Sequence, residues 1–144
     1  MILRADVVAE ARSWIGTPYR HQAALKGVGC DCLGLILGLH RAMIGDIGET
    51  VPSYTPHWAE VSDADPLLAA AQRHLMRVDE PEAQAGDVLL FRYRAGAPAK
   101  HAAILASAGT MIHAYDGTAV VETSLGPWWR RRIAGAFAFP GVMS

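Results

Sequence analysis

Hydrophobic positions change their rhythm once along this chain. From Asp6 to Ile15 the apolar residues Val7, Ala11, Trp14 and Ile15 recur at the spacing of one helix face, and Gly16 with Thr17-Pro18 ends the run. From Cys32 to about Ile44 nearly every position is apolar. That predicts a helix buried on all sides and closed by Gly45, with Gly34 and Gly38 on one face permitting close backbone approach. A third helix starts with Asp65 as cap and Pro66 in its first position, and Leu67, Leu68, Ala71 and Leu75 form its inward stripe. After His74 the period shortens. The runs Met76–Asp79, Asp87–Arg94, His101–Ser107, Thr110–Tyr115, Val120–Thr123 and Ile133–Phe139 read as strands. Gly86-Asp87, Ala95-Gly96-Ala97-Pro98, Ala108-Gly109 and Asp116-Gly117 separate them, each break short enough for antiparallel neighbours.

Two stretches show neither period. Tyr19–Gly29 contains Arg20, His21, Gln22 and Lys26 and reads as a loop whose polar side chains can line a cleft. Asp46–Ser62 holds Pro52, Tyr54, Pro56, His57 and Trp58 and reads as a long ordered loop over one side of that cleft. Helices first and strands afterwards predict an α+β domain, its N-terminal helices packed on an antiparallel sheet of five or six strands. The 144 residues fit one such domain, residues 1–144.

Composition narrows the function classes. A net charge of -1 provides no electrostatic case for nucleic acid or an anionic membrane as partner. The apolar run Leu33–Leu39 falls far below the roughly 20 residues of a membrane span. Met1–Asp6 has no basic segment followed by an apolar one, so the expectation is a soluble protein made in the cytoplasm without a secretion signal. The two cysteines, Cys30 and Cys32, are too close in sequence for an easy disulfide, and no second pair completes a zinc cage.

Candidate chemistry centres on Gly29-Cys30-Asp31-Cys32-Leu33-Gly34. Asp31 is a good N-cap, so Cys32 is expected in the first turn of the buried helix, where unpaired N–H groups converge. That position favours a thiolate and offers the same N–H groups to an oxyanion. His101 and His113 lie on consecutive strands joined by a tight turn, and hairpin geometry makes His101 face either His113 or Tyr115, with both imidazoles on one sheet face. If Cys32 docks over that face, His101 can take the thiol proton while His113 orients the ring. A zinc site made of the same three residues is the chemical alternative. His21, His40, His57 and His74 read as solvent or packing residues, with His21 or His57 available to rim the cleft. Cys30 reads as packing beside the loop, with redox control of Cys32 as the other option.

The order and spacing of five motifs resemble the NlpC-type cell-wall cysteine peptidases, a bacterial and phage branch of the papain-like fold. The motifs are Gly16-Thr17-Pro18-Tyr19, Asp31-Cys32-Leu33-Gly34, Gly86-Asp87-Val88-Leu89-Leu90-Phe91, His101 opening Ala102-Ala103-Ile104-Leu105, and Ile112-His113-Ala114. The resemblance implies Cys32 as nucleophile, His101 as base and then acid, and His113 as the orienting third member, with no cofactor and no metal. It also implies Tyr19 near the oxyanion and substrate, and Asp31 holding the bound peptide's free amine or the helix start. Leu33 stands among the substrate-facing positions where many members carry Ser. The implied reaction is hydrolysis of peptidoglycan stem peptides at the D-glutamyl-diaminopimelyl amide. The form of the chain is similar to peptidases encoded among tail genes of phages and gene transfer agents, which implies tail or baseplate proteins as partners and action in the periplasm or wall. A non-catalytic tail component, and an acyltransferase or amidase using the same cysteine, are the alternatives.

Trp128-Trp129-Arg130-Arg131-Arg132 has two readings. One is a strand approach with packed indoles and solvated arginines; the other is a docking surface.

Overall fold

The computed structural model describes residues 2–47 and 65–143. The expected loop over the cleft, from residue 48 onward and including His57, lies outside the described residues.

The first helix, α1 (Arg4–Arg12), starts and ends earlier than its apolar stripe predicts. It follows directly on β1 (Ile2–Leu3), which pairs in parallel with β10 (Val142–Met143). At its other end the Ser13 hydroxyl bonds the Glu10 carbonyl, and the chain passes through turns in which Trp14 is still drawn into the core. The Tyr19–Gly29 loop contains a short hairpin, β2 (Ala24–Leu25) with β3 (Gly29–Cys30), which lays Cys30 and Asp31 against the next helix.

That helix, α2 (Cys32–Met43), keeps the predicted start because the Asp31 side chain accepts the Gly34 N–H. Its buried side is as apolar as expected, though Arg41 and Ala42 reach solvent. Both glycines are needed for close approach: a Cβ on Gly38 would stand 2.3 Å from the Trp14 ring, and one on Gly34 would stand 1.8 Å from the Ala23 carbonyl oxygen. Helix α3 (Pro66–His74) has the predicted cap, Asp65, whose Oδ1 accepts the Leu68 N–H at 3.3 Å. The same oxygen accepts the Ala99 N–H at 3.2 Å, which ties the helix start to the approach to His101.

The sheet has the expected antiparallel character and six strands: β4 (Met76–Val78), β5 (Val88–Phe91), β6 (His101–Leu105), β7 (Thr110–Ala114), β8 (Val120–Ser124) and β9 (Ile133–Ala138), in the order β4-β9-β5-β6-β7-β8. Both faces of the central strands are covered. Val88, Leu90, Ala102, Ile104, Ile112 and Ala114 meet Val7, Ala11 and Trp14 from the N-terminal segment and Leu35 and Leu39 from α2. Leu89, Phe91, Ala103, Leu105, Met111 and Ala136 form a second apolar layer with Leu125 and Trp129. Double burial explains why these strands read as continuous apolar runs rather than as alternation. The segment expected to run as a strand approach is instead a short helix, α4 (Pro127–Arg130), opened by Pro127 in its first turn. Among the described residues no helix is long and apolar enough to cross a membrane.

Candidate active site

β6 and β7 pair at Ile104↔Ile112 and Leu105↔Met111, which is the register that sets His101 opposite the position of Tyr115. Odd-numbered residues of β6 donate toward β5, as Leu105 does to Asp87 O at 2.9 Å; even-numbered ones donate toward β7, as Ala106 does to Thr110 O at 2.9 Å. Beyond Ile104 no further β6–β7 pair forms. The N–H of Ala102, facing β7 there, is directed at the sulfur of Cys32. Cys32 is half-buried and stands next to the residue that follows His101.

This corrects the expected docking mode. The imidazoles share the sheet face of Ala103, Leu105 and Met111, whereas α2 packs on the face of Ala102 and Ile104. The sulfur therefore lies beside Ala102 at the open end of the β6–β7 pair, not over the histidine face. The imidazoles themselves join as expected: Nε2 of His101 lies 2.8 Å from Nδ1 of His113, with the rings nearly perpendicular at 78°. His101 Nε2 is thereby engaged by His113, and Nδ1 is its other ring nitrogen. Because the two histidine nitrogens face each other at hydrogen-bond distance, no metal position is shared between them. Among the described residues no group of three His, Cys, Asp or Glu side chains is arranged to hold a metal ion.

At the helix start the first N–H groups divide their work. Gly34 donates to Asp31 Oδ1 at 2.7 Å and Leu35 to Asp31 O at 3.0 Å, while the N–H groups of Cys32 and Leu33 point at the sulfur. N–H groups at such a helix start can receive an oxyanion. Leu33 is otherwise half-buried against the core. Asp31 is 2% exposed, and its second oxygen accepts the Gln22 N–H at 2.7 Å, so the carboxylate caps the helix and holds the preceding loop. His21 lies beside it, Nδ1 3.8 Å from Asp31 Oδ2. Tyr19 sits near Cys32; burial and the neighbouring negative charges of Cys32, Asp31 and Asp116 push its hydroxyl up to about 12, so it remains a donor at neutral pH.

The helix-start position that favours a thiolate is opposed by burial. Burial, reinforced by the Asp31 carboxylate, pushes the Cys32 thiol up to about 12 against the opposing pull of the three amides. Burial and the positive charge of His113 push His101 down to about 3, and burial alone takes His113 down to about 4. Cys30 is wholly buried in β3, where its backbone N–H donates to Pro18 O at 3.0 Å, and burial lifts its thiol to about 11. His40 packs as expected and meets Gly45 O through Nδ1 at 2.6 Å, and His74 ends α3.

The sequence model of the NlpC/P60 family matches residues 16–137. The chain belongs to the NlpC/P60 family. It is similar in fold to an NLP/P60-family protein of Staphylococcus aureus described as similar to lipoprotein, with 24% identity, a TM-score of 0.62, and coverage of 98% of this chain and 42% of that one. An NlpC/P60 protein of Bacillus cereus shares 23% identity with a TM-score of 0.65 over 94% of this chain and 40% of that one. The NlpC/p60 domain of the peptidoglycan hydrolase SagA shares 24% identity with a TM-score of 0.63 over 94% of this chain and 98% of that domain. The chain thus spans less than half the length of the first two and nearly all of the third. A comparison with curated proteins finds no match.

Within this NlpC/P60 fold, aromatic rings and a hydroxyl surround the histidine pair, and of these residues Tyr93 and Thr123 are the ones that sequence reasoning passed over. Trp129 lies 5.3 Å from the His101 ring and 5.5 Å from the His113 ring, and Tyr93 stacks near His101 at 6.3 Å. Tyr115 stacks on His113 at 5.4 Å. Thr123 Oγ1 lies 3.0 Å from His113 Nε2. Trp128 is 45% exposed, with the Arg132 guanidinium 3.8 Å from its ring. The segment is a short helix rather than a strand approach, with the Trp129 indole packed and the Trp128 indole open.

Proposed function

We propose that the protein is a cysteine peptidase that hydrolyses peptidoglycan stem peptides at the D-glutamyl-diaminopimelyl amide. The observation carrying this reading is the 2.8 Å contact of His101 with His113 beside a cysteine at a helix start. Membership of the NlpC/P60 family and the likeness to a peptidoglycan hydrolase domain support it.

The thiol proton moves to His101 Nδ1 as the sulfur attacks the amide carbon. The Cys32 and Leu33 N–H groups receive the oxyanion, with Tyr19 as a nearby donor. Collapse breaks the C–N bond, and His101 returns its proton to the leaving amine. Water then attacks the thioester with His101 as base, releasing the acid and restoring the thiol. His113 holds the His101 ring and spreads the charge of its protonated form. The scheme needs no cofactor.

We place the activity in a phage-tail or gene-transfer-agent particle, with tail or baseplate proteins as partners and the periplasm or wall as the site of action; the motif resemblance supports this setting. The test is mass spectrometry of defined wall fragments. Parent protein is expected to create one new amine at diaminopimelate, and Cys32→Ala none. Fragments bound but never cut would make the chain a structural component, and cutting by Cys32→Ala would end the assignment. Detection of the protein in purified particles checks the setting.

A further inference from the structure

A neutral histidine carries one N–H, and a pair of neutral histidines can be wired in two directions. In one, Thr123 donates to His113 Nε2, His113 donates from Nδ1 to His101 Nε2, and His101 carries its hydrogen on Nδ1, facing the thiol. That pair cannot accept a proton from Cys32. In the other, His113 donates from Nε2 to Thr123, accepts at Nδ1 from His101 Nε2–H, and leaves His101 Nδ1 bare.

We propose that Thr123 is a positioning residue that sets this direction by accepting a hydrogen bond from His113 Nε2–H. The inference rests on the Cys32–His101 reading above. Its ground is geometric: His113 Nε2 lies 3.0 Å from Thr123 Oγ1, and His113 Nδ1 lies 2.8 Å from His101 Nε2. Register brings Thr123 there. β7 and β8 pair at Met111↔Thr123 and His113↔Val121, which makes Thr123 the diagonal neighbour of His113 on one sheet face.

The chemical requirement appears once His101 has taken the thiol proton. Both of its ring nitrogens then carry hydrogen, so His113 Nδ1 must accept, and the hydrogen of neutral His113 must sit on Nε2. His113 is 1% exposed, under Trp129 and Tyr115, so water is a poor substitute as partner for that N–H. The titratable groups facing His113 are His101 from β6 and Tyr115 from the end of its own strand; Trp129 comes from α4. The Thr123 hydroxyl satisfies the one hydrogen that the loaded pair cannot place elsewhere. It acts through His113 and touches neither sulfur nor substrate.

The first readout uses the parent protein: 15N spectra of the histidine rings at neutral pH are expected to show His113 with its hydrogen on Nε2. The second is the alkylation rate of Cys32 by iodoacetamide, which does not depend on any peptide substrate. Thr123→Val is expected to slow alkylation by about 10- to 100-fold, as loss of a hydrogen bond to a group bearing developing charge implies, with kcat falling in step and KM unmoved. Thr123→Ser is expected to restore both. Hydrogen found on His113 Nδ1 in the parent, or parent-like alkylation by a folded Thr123→Val, overturns the proposal. If Thr123→Val does not fold, the parent spectrum decides. If the tautomer and alkylation results hold but no wall fragment is cut, the inference stands and the substrate reading falls.

Discussion

Asp31 reaches forward to Gly34 at 2.7 Å with one carboxylate oxygen and back to Gln22 at 2.7 Å with the other, so one side chain joins the loop to the helix that carries Cys32. Replacing it by Ala removes the cap and leaves two N–H groups without this partner. A loss of about 1–2 kcal/mol is expected from the cap alone, measured by urea denaturation. Asp31→Asn, which keeps a side-chain oxygen for Gly34, is expected to lose less.

Gly38 allows the Trp14 ring to lie where a side chain would stand. Gly38→Ala puts a Cβ 2.3 Å from that ring and is expected to destabilise by about 1–3 kcal/mol through overpacking. Combined with Trp14→Leu, the penalty is expected to shrink, and a double-mutant cycle in denaturant measures the coupling.

Burial lowers the folded-state affinity of His101 and His113 for protons, so the unfolded chain binds more protons wherever an ordinary histidine titrates. The contribution of this pair is thus fully present above about pH 6.5 and is lost as pH falls toward the folded values near 4 and 3. Stability measured by denaturant is expected to be lower at pH 4 than at pH 7 from this source, and the difference to be smaller in His113→Asn. The same depression places the acid limb of kcat/KM below pH 6.5, as a property of the coupled pair.

Trp129 lies against both imidazoles and keeps water from them. Trp129→Ala is expected to raise the pKa of His101 toward the ordinary 6.5, read by NMR titration, because the desolvation that lowers it is relieved. Trp128→Ala, which removes an exposed ring, is expected to leave it in place.

The residues that make the site legible in sequence are those whose roles are local. Asp31 before an apolar helix, and Asp65 before Pro66, announce helix starts through cap chemistry confined to a few residues. The short Ala108-Gly109 turn restricts the hairpin to few registers, which suffices to bring His101 and His113 together. Thr123 is hidden because its partner is chosen by the pairing of a third strand. Tyr93 lies past β5 where the β5–β9 register shifts between Leu90 and Phe91, so period counting does not carry it to His101. The four residues of α4 are too few to show a helical repeat, and the β1–β10 pair joins the two ends of the described chain with no local signal. The burial and the Asp31 carboxylate that act on the Cys32 thiol are hidden in the sequence because they depend on the folded surroundings, whereas the helix start is visible directly.

Where β6 and β7 part company, a main-chain amide is released to serve the sulfur, and that contribution has no side chain to mutate. Ala102 is already alanine, so an alanine scan would walk past it without registering a role. Swapping the single peptide link ahead of Ala102 for an ester, by chemical ligation, would delete the donor while sparing every side chain. Sensitivity to that swap is the signature of a site built partly out of a gap in the sheet.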